Sequence, residues 1–295
     1  MAEDRIEALL VGAIDLHCHS GPSVMPRSLN HVEAIEEAEA AGMRAILFKD
    51  HYYSVTPVTA LLRETMNPKI ELLSGVPTNN TTGGLNPYAV EHGFKLGAKI
   101  VWMPTFSAAN HIRHSHRKQF LPTKEKMLEP TMLTVVDDRG RLLDVVKEIL
   151  DQIAEYDGIL SAGHLHISEI WPLFREAKER GVTRLLVNHP TFLIGCLPAD
   201  MAELAGMGAY LEHSTCMWAG VQGKNYTLDS LDQVIKAGGV DHTIIGSDLG
   251  QVGNPRPVDG FRYVIQMCID LGYSDEEIRQ MIGGNAARLA GIAAN

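Results

Sequence analysis

Short apolar runs alternate with amphipathic stretches along the whole chain. A run of about four to eight apolar residues indicates a buried strand, and apolar residues three or four positions apart indicate a helix that covers it. Eight runs fit the strand pattern. The predicted strands are 11–16, 45–48, 70–73, 99–103, 158–162, 184–187, 209–212 and 243–246.

The order of the predicted elements indicates the fold. Helices are predicted around 32–38, 59–64, 88–96, 142–156, 170–180, 199–205, 228–236, 258–271 and 274–290. Eight strand–helix units without a break in composition predict an α/β protein, a (βα)8 TIM barrel that forms a single domain over residues 1–295. An open doubly wound sheet fits less well, because it usually has fewer strands and an early glycine-rich phosphate turn. Neither GxGxxG nor GxxxxGKS/T occurs.

One connection is longer than a barrel needs. Residues 105–140, after the fourth predicted strand, form a long irregular segment. Long structured loops at the catalytic face of a barrel usually cover or bind the substrate. We therefore expect an inserted, lid-like loop over the active site.

Composition and charge narrow the range of partners. Of the 295 residues 45% are hydrophobic, and the net charge of −10 disfavours nucleic acid as a partner. No apolar run approaches the ~20 residues that would span a bilayer, so we expect no membrane partner. The segment 1–5 lacks the basic start of a secretory signal, and the four cysteines contain no CxxC pair. These features favour a cytoplasmic protein with reduced thiols.

Histidines and carboxylates cluster where predicted strands end, which is the catalytic face of a TIM barrel. Residues two apart in an extended segment share a face, so His17 and His19 can reach one ion. Further predicted strand ends carry Lys49, His51, His164, His166, His189, Glu212, His213 and Asp248. So many imidazoles and carboxylates close together at one end of the barrel are unfavourable unless a cation or a substrate binds them. The coincidence predicts a metal site.

These strand ends resemble those of the amidohydrolase superfamily of metal-dependent hydrolases, over essentially the whole chain. The shared features are the Asp15-Leu-His-Cys-His19 opening, single histidines after strands five and six, and the late Gly246-Ser-Asp248. The resemblance implies one or two divalent metal ions held by His17, His19, His164, His189 and Asp248. The segments 83–87 and 102–105 resemble a poorly characterised branch of that superfamily.

The chain departs from the superfamily at the bridging lysine. That residue usually ends strand four, but here strand four ends Trp102-Met-Pro-Thr105. Lys49 is the best substitute, because carboxylation by CO2 would make it an anionic ligand between two cations, whereas its ammonium form would repel them. Two alternatives stay open: Lys49 pairs with Asp50 or an anionic substrate, or His51 supplies a single ligand. Such ligands suit zinc first, with manganese, iron, cobalt or nickel as alternatives.

A metal in such a site would activate water for hydrolysis. It lowers the pKa of water from about 15.7 toward ~7, and the resemblance implies that Asp248 takes the proton and passes it to the leaving group. We therefore expect an enzyme, a metal-dependent hydrolase that cleaves an amide, cyclic amide, lactone or ester bond in a small anionic molecule.

Several basic side chains near the predicted site are candidates for binding that substrate. Segment 110–118 carries six basic or potentially basic side chains in nine positions, and an arginine there could bind an anion through two hydrogen bonds. A solvated loop or a subunit contact is the alternative. The candidates are Arg27, His51, His111, Arg113, His166 and His213; the last two, with Glu212, could instead orient metal ligands.

Other functions need nearly the same residues. Within enzymes the alternatives are a phosphoesterase resembling the PHP group and a metal-dependent decarboxylase or hydratase. Outside enzymes, the alternative is a barrel that keeps its metal site as a non-catalytic sensor or scaffold. Barrels that act on small molecules often assemble as homo-oligomers, which is a further expectation for this chain.

Overall fold

Eight parallel strands follow one another in chain order around a single sheet. The computed structural model describes residues 2–115, 123–220 and 226–293. Each strand pairs in parallel with the next one along the chain. The strands are β1 (Ile14–Cys18), β2 (Ala45–Phe48), β3 (Glu71–Pro77), β4 (Ile100–Trp102), β5 (Ile159–Ser161), β6 (Arg184–Asn188), β7 (Tyr210–Ser214) and β8 (Thr243–Gly246).

The sheet closes into a barrel where β8 meets β1. The backbone N–H of Asp248 donates to the carbonyl oxygen of His17 at 2.7 Å. The carboxylate of Asp15 accepts hydrogen bonds from the backbone N–H groups of His17 and Ser247, both at 2.9 Å. These bonds tie the first strand to the segment after the last. The predicted (βα)8 TIM barrel is confirmed.

Helices alternate with the strands on the outside of the barrel. They are α1 (Ala2–Leu10), α2 (His31–Ala40), α3 (Thr56–Met66), α4 (Pro87–Lys95), α5 (Ala109–Ser115), α6 (Asp144–Glu155), α7 (Ile167–Glu179), α8 (Pro198–Gly206), α9 (Cys216–Ala219), α10 (Leu228–Gly238), α11 (Pro257–Asp270), α12 (Asp275–Arg279) and α13 (Asn285–Ala290). Among the described helices, none has both the length and the apolarity needed to cross a bilayer.

Two apolar layers hold the barrel together. One fills its interior and the other lies between strands and helices, and alternate residues of a strand join alternate layers. On β2, for example, Leu47 belongs to the interior layer and Phe48 to the outer one. Trp102 is the largest fully buried side chain and belongs to the interior layer. The alternation decides which strand-end side chains face the barrel axis.

The helix α13 closes one end of the barrel. Its residues Ala286 and Leu289 are buried in the same apolar cluster as Ile14 and Leu16 of β1. Because Ile14 begins β1, α13 covers the end of the barrel where the strands start. The opposite end, where the strands finish, is left for the histidines and carboxylates.

Some boundaries differ from the predicted ones. β1 begins at Ile14 rather than at residue 11, because a turn follows α1, with Gly12 at a φ of +86°. β3 continues to Pro77, because its last three residues pair with β4. The predicted helix 274–290 is divided into α12, a π-helical turn (Gln280–Gly284) and α13. The short helix α5 lies inside the segment predicted to be irregular.

Candidate metal centre

A β-bulge in β1 aims two histidines into the barrel. Ile14 and Leu16 face the interior, so simple alternation would turn residue 17 outward. The pairing of β1 with β2 shifts its register between residues 15 and 18, so His17 faces inward while Cys18 joins the outer layer. His17 and His19 are almost fully buried, and their ring centroids lie 5.1 Å apart.

Asp248, which follows β8, faces both of these histidines. Its Oδ1 atom lies 3.3 Å from Nε2 of His17 and 3.0 Å from Nε2 of His19. The backbone of Asp248 has a φ of +49°, a left-handed conformation that is uncommon outside glycine and is often found at functional sites. One ligand atom from each of the three residues lies within 4.8 Å of the other two. Three donors that converge in this way can hold one metal ion.

Two further histidines extend the cluster across the barrel. His164 follows β5 and His189 follows β6, and their ring centroids are 5.0 Å apart. The ring of His189 is also 6.0 Å from that of His17. His189 has a φ of +34°, and its buried Nδ1 has no hydrogen-bond partner among the described residues. A buried nitrogen without a partner is unfavourable unless a ligand completes it.

Lys49, which follows β2, lies in the same ring of side chains. Its Nζ atom is 2.9 Å from Nε2 of His17 and 5.5 Å from the ring centroid of Trp102. Burial lowers the pKa of Lys49, although the charges of Asp248 and Glu212 oppose that effect. An ammonium group here would repel a cation beside His17, so a metal fits this ring when Lys49 is a neutral amine or a carboxylated anion.

Glu212, on β7, holds His17 from the side opposite to Asp248. Its carboxylate accepts a hydrogen bond from Nδ1 of His17 at 2.8 Å, and others from Asn188 and, at 2.6 Å, Ser214. Burial alone would raise the pKa of Glu212, but its surroundings, which include the hydrogen bonds from His17 and Ser214, lower that pKa to about 2. Glu212 therefore makes Nδ1 of His17 the protonated nitrogen and leaves the Nε2 lone pair for a ligand.

Burial keeps the other imidazoles neutral. It is the largest cause of a pKa that falls to about 3 in His19 and to about 4 in His111 and His189. It also lowers the pKa values of His51 and His164 well below their usual range. Neutral imidazole is the form that binds a metal ion.

These side chains line a cavity of about 210 Å³ at the ends of the strands. Apolar side chains form the rest of its wall, among them Phe106, Phe192, Met217 and Val252. The cavity brings together nine residues singled out in the sequence: His17, His19, Arg27, Lys49, His51, His111, His164, His189 and Asp248. Their convergence makes this cavity the candidate functional site.

The helix α5 and the residues before it form one wall of the cavity. Nδ1 of His111 lies 2.8 Å from Nδ1 of His164, so one of these nitrogens donates to the other. The side-chain amide of Asn110 donates to the carbonyl oxygens of His164, at 3.0 Å, and of Leu193, at 2.8 Å. Part of segment 105–140 therefore contacts the site. Residues 116–118 of its basic stretch lie outside the described residues.

Three predicted substrate-binding residues do not line the cavity. Arg113 is exposed, because residues two apart on a helix such as α5 face different directions. His166 caps α7, where its side chain accepts a hydrogen bond from the backbone N–H of Ser168. His213 is buried outside the barrel interior, because Glu212 before it on β7 faces inward. A role for these three residues in substrate binding therefore has no support from the cavity lining.

Seven residues that line the cavity were not predicted, and Phe106 and Cys216 are two of them. Phe106 stacks on the ring of His51 with centroids 3.7 Å apart, and an isolated aromatic residue in an irregular segment carries no sequence signal. Cys216 lies with its Sγ 3.3 Å from Oδ2 of Asp248. Burial and the Asp248 charge raise the pKa of the Cys216 thiol, which therefore donates to that carboxylate. All four cysteines are free, as the sequence predicts.

The donor set fits a divalent first-row metal ion. Neutral imidazoles with one carboxylate are ligands of zinc and its neighbours, and His189 keeps a buried ring nitrogen without a partner. His17, His19 and Asp248 could hold one ion. His164 and His189, with Lys49 between the two groups, have the side chains to hold a second.

Solved structures of amidohydrolase-type enzymes have a similar (βα)8 fold. An amidohydrolase from Pseudomonas aeruginosa has a similar structure, with a TM-score of 0.68, 14% identity and 98% of both chains covered. The probable dipeptidase PvdM from the same organism has a TM-score of 0.68 at 11% identity, again over 98% of both chains. A 2,6-dihydroxybenzoate decarboxylase from Rhizobium has a TM-score of 0.56 at 10% identity, over 96% of this chain and 99% of its own. Identities this low show a shared fold.

The chain belongs to a family of unknown function, DUF6282, whose profile matches residues 12–212. The match includes the bulge in β1 and the histidines after β2, β5 and β6. No curated protein shows a significant match.

Proposed function

We propose that the protein is a metal-dependent hydrolase that cleaves an amide, cyclic amide, lactone or ester bond in a small anionic molecule. One observation carries the proposal: Nε2 of His17 and Nε2 of His19 both face Oδ1 of Asp248, at 3.3 Å and 3.0 Å. Three ligand atoms converge beside a cavity that a small molecule can enter. The shared fold of the amidohydrolase and the probable dipeptidase supports the same class of reaction.

The chain's own residues have distinct roles in this proposal. Asp248 would accept a proton from the attacking water and return it to the leaving group, while Cys216 hydrogen-bonds its second oxygen. Glu212 orients His17 through Nδ1. A bound divalent ion would supply Lewis acidity at the substrate and an activated water.

The chemical state of Lys49, carboxylated or free amine, determines how many metal ions the site binds. If its amine bonds to the carbon of CO2 and releases one proton, the resulting carbamate is an anion that can bridge two cations. If it stays an amine, the site holds a single ion and Lys49 contacts the substrate or a carboxylate. Zinc suits the ligands first, with manganese, iron, cobalt or nickel as alternatives.

A decarboxylase is the second candidate. The Rhizobium 2,6-dihydroxybenzoate decarboxylase shares the fold, and the cavity wall of this chain carries two basic side chains, Lys49 and Arg27. A metal-dependent hydratase and a phosphoesterase would need much the same ligands. A barrel that binds metal without catalysis is the remaining alternative.

Elemental analysis tests the proposal. The wild-type protein, purified without chelator, is compared with His17→Ala/His19→Ala and with His92→Ala, which removes an exposed histidine on α4. We expect one or two divalent ions per chain in the wild type and in His92→Ala, and loss of an ion in the double variant. About two ions support a bridging Lys49, and about one supports the single-ion site. No ion, even after incubation with zinc or manganese, would contradict the proposal.

Turnover assays then separate the reaction classes. Amides, lactones and carboxylic esters are tested beside phosphate monoesters and aromatic acids that could lose CO2. Hydrolysis of the first group that is lost in Asp248→Asn supports the proposal. Turnover of phosphate monoesters alone, or release of CO2 alone, would replace it with the corresponding alternative.

A further inference from the structure

Arg27 carries a buried positive charge that few protein groups neutralise or hydrogen-bond. It lies in the loop between β1 and α2, where the neighbouring N–H of Ser28 donates to the carbonyl oxygen of Gly250 at 2.8 Å. Only 4% of the Arg27 side chain is exposed. Its Nε and Nη1 atoms are buried and have no hydrogen-bond partner among the described residues. An arginine held in this way is unfavourable unless an anion stabilises it.

The protein groups around Nη2 do not supply that anion in full. The nearest carboxylate oxygen, Oδ2 of Asp50, is 3.4 Å away, which is longer than the ~2.7–2.9 Å of a charge-assisted hydrogen bond. The other oxygen of Asp50 accepts from the backbone N–H of Tyr52 at 2.8 Å. Nδ1 of His19 lies 3.5 Å from Nη2, but it donates to the carbonyl oxygen of Lys49 and so offers no lone pair. Arg27 therefore has capacity for an external acceptor.

The charge of the cavity wall points the same way. Arg27 and Lys49 are its two basic side chains, and Asp248 is the single carboxylate in its lining among the described residues. Asp248 already faces His17 and His19. A divalent ion would add two positive charges at the same place; Lys49 would then be neutral or a carboxylated anion, and the site with Arg27 would still be net positive. An anionic ligand would balance these groups, and a neutral one would leave them without compensation.

The position of Arg27 indicates which part of the ligand would carry the charge. Arg27 approaches the Nδ1 edge of the His19 imidazole, and Asp248 approaches its Nε2 edge. The ring of His19 would thus separate a group bound to Arg27 from Asp248. Other residues of the same cavity wall, among them Phe192, Met217 and Val252, are apolar. At about 210 Å³ the cavity is smaller than the ~300–1,000 Å³ of typical drug-sized pockets.

We propose that Arg27 binds the carboxylate of the substrate, and that the substrate is a small carboxylic acid with an apolar body and a reacting bond close to its carboxylate. The inference rests on the proposed function, because it places that substrate in the same cavity. A planar guanidinium matches a carboxylate through two parallel hydrogen bonds, so the arginine would select the acid over its uncharged amide.

Calorimetric binding to the metal-loaded protein tests the inference. The probes are benzoate with benzamide and hexanoate with hexanamide, two pairs that differ in charge but little in shape. We expect at least one acid to bind about tenfold or more tightly than its amide. Arg27→Met should remove that preference, and Arg27→Lys should restore part of it. Arg175→Met, which removes an exposed arginine on α7, should bind both probes as the wild type does.

Three results would overturn the inference. They are an acid that binds no better than its amide, no binding of either acid, and Arg27→Met binding the acid as tightly as the wild type. The third result would assign the carboxylate to the metal ion or to another site. Metal content and melting temperature of Arg27→Met, measured in parallel, show whether the variant is folded and loaded.

The same measurements distinguish this inference from the proposed function. If the protein holds a metal and hydrolyses esters or amides through Asp248, but Arg27→Met binds the acids normally, the inference is wrong and the proposed function stands. If the protein takes up no metal but binds the acid through Arg27, the proposed function is wrong and the carboxylate site stands.

Discussion

Nδ1 of His17 donates a hydrogen bond of 2.8 Å to the carboxylate of Glu212, and neither side chain is exposed to solvent. The bond joins β1 to β7 across the barrel interior. It sets the tautomer of His17, so that the unprotonated Nε2 faces Asp248 and Lys49. A carboxylate behind a histidine ligand raises its basicity, and loss of such a group typically lowers metal affinity by about 10- to 100-fold.

We expect Glu212→Gln to reduce metal affinity by about that factor while the barrel still folds. The amide can still accept from His17, so the geometry is kept and the charge is lost. Competitive titration with a chromophoric chelator measures the affinity. Glu203→Gln, an exposed change on α8, is the matched control and should bind metal as the wild type does. Unchanged affinity in Glu212→Gln would show that His17 is not a ligand.

Asn110 should hold the wall formed by α5 in place. Its amide group bridges the carbonyl oxygens of His164 and Leu193 at 3.0 Å and 2.8 Å. Asn110→Ala leaves both buried acceptors without this donor, which destabilises a protein by about 1–3 kcal/mol. We expect a lower free energy of unfolding in urea and weaker metal binding. Glu36→Ala, an exposed change on α2, should alter neither.

Gly250 should tolerate no side chain. Its φ is +118°, and a Cβ atom there would lie 1.8 Å from the carbonyl oxygen of His19. Gly253 also has a positive φ, of +92°, but a Cβ atom there meets nothing within 4 Å. Gly253→Ala should therefore lose only about 1–2 kcal/mol through backbone strain. Gly250→Ala should lose about 1–3 kcal/mol more and displace His19. Equal unfolding free energies for Gly250→Ala and Gly253→Ala would contradict this prediction.

His213 should make the fold sensitive to acid. Burial lowers the pKa of His213 to about 4, and both of its ring nitrogens lack a partner among the described residues. Since the unfolded chain has a pKa of about 6.5, it binds the proton more readily than the folded one, and stability falls as the pH drops from about 6.5 to about 4. At about 1.36 kcal/mol per pH unit, His213 accounts for about 3 kcal/mol of this loss.

The matching variant is His213→Phe, which keeps an aromatic ring and removes the titration. Its unfolding free energy should fall less than that of the wild type between pH 6.5 and pH 4, by about 3 kcal/mol. Urea denaturation at several pH values gives these free energies. His92→Phe, a change on the exposed face of α4, shows the effect of the substitution itself. Parallel curves for wild type and His213→Phe would refute the prediction.

The sequence was sufficient to predict the barrel and the polar side chains that follow its strands. In a parallel barrel all strands finish at one end, so residues as distant as His17, His164 and Asp248 must meet once the strands are counted. The side-chain parity of a strand also predicts that His17 and His19 share a face. The bulge that turns this face inward has no marker in the sequence, because it depends on the pairing of β1 with β2.

The predicted residues that do not line the cavity are ones whose direction depends on packing. His213 is next to Glu212, and only the register of β7 decides which of the two points into the barrel, where Glu212 meets His17. Arg113 and His111 are two residues apart on α5, a helix that the sequence does not predict. The sequence likewise does not show that the charge of Arg27 is poorly neutralised, because that depends on its distances to Asp50 and His19.

The helix α13 covers the end of the barrel where the strands start, and this position affects when the barrel can fold during synthesis. Ala286 and Leu289 of α13 share one apolar cluster with Ile14 and Leu16, so this part of β1 is covered by a helix that is synthesised much later in the chain. Until then, apolar interior surface of β1 stays uncovered. Assembly of the barrel should therefore follow translation rather than accompany it, and a nascent chain that stalls before α13 would be a substrate for chaperones and proteases.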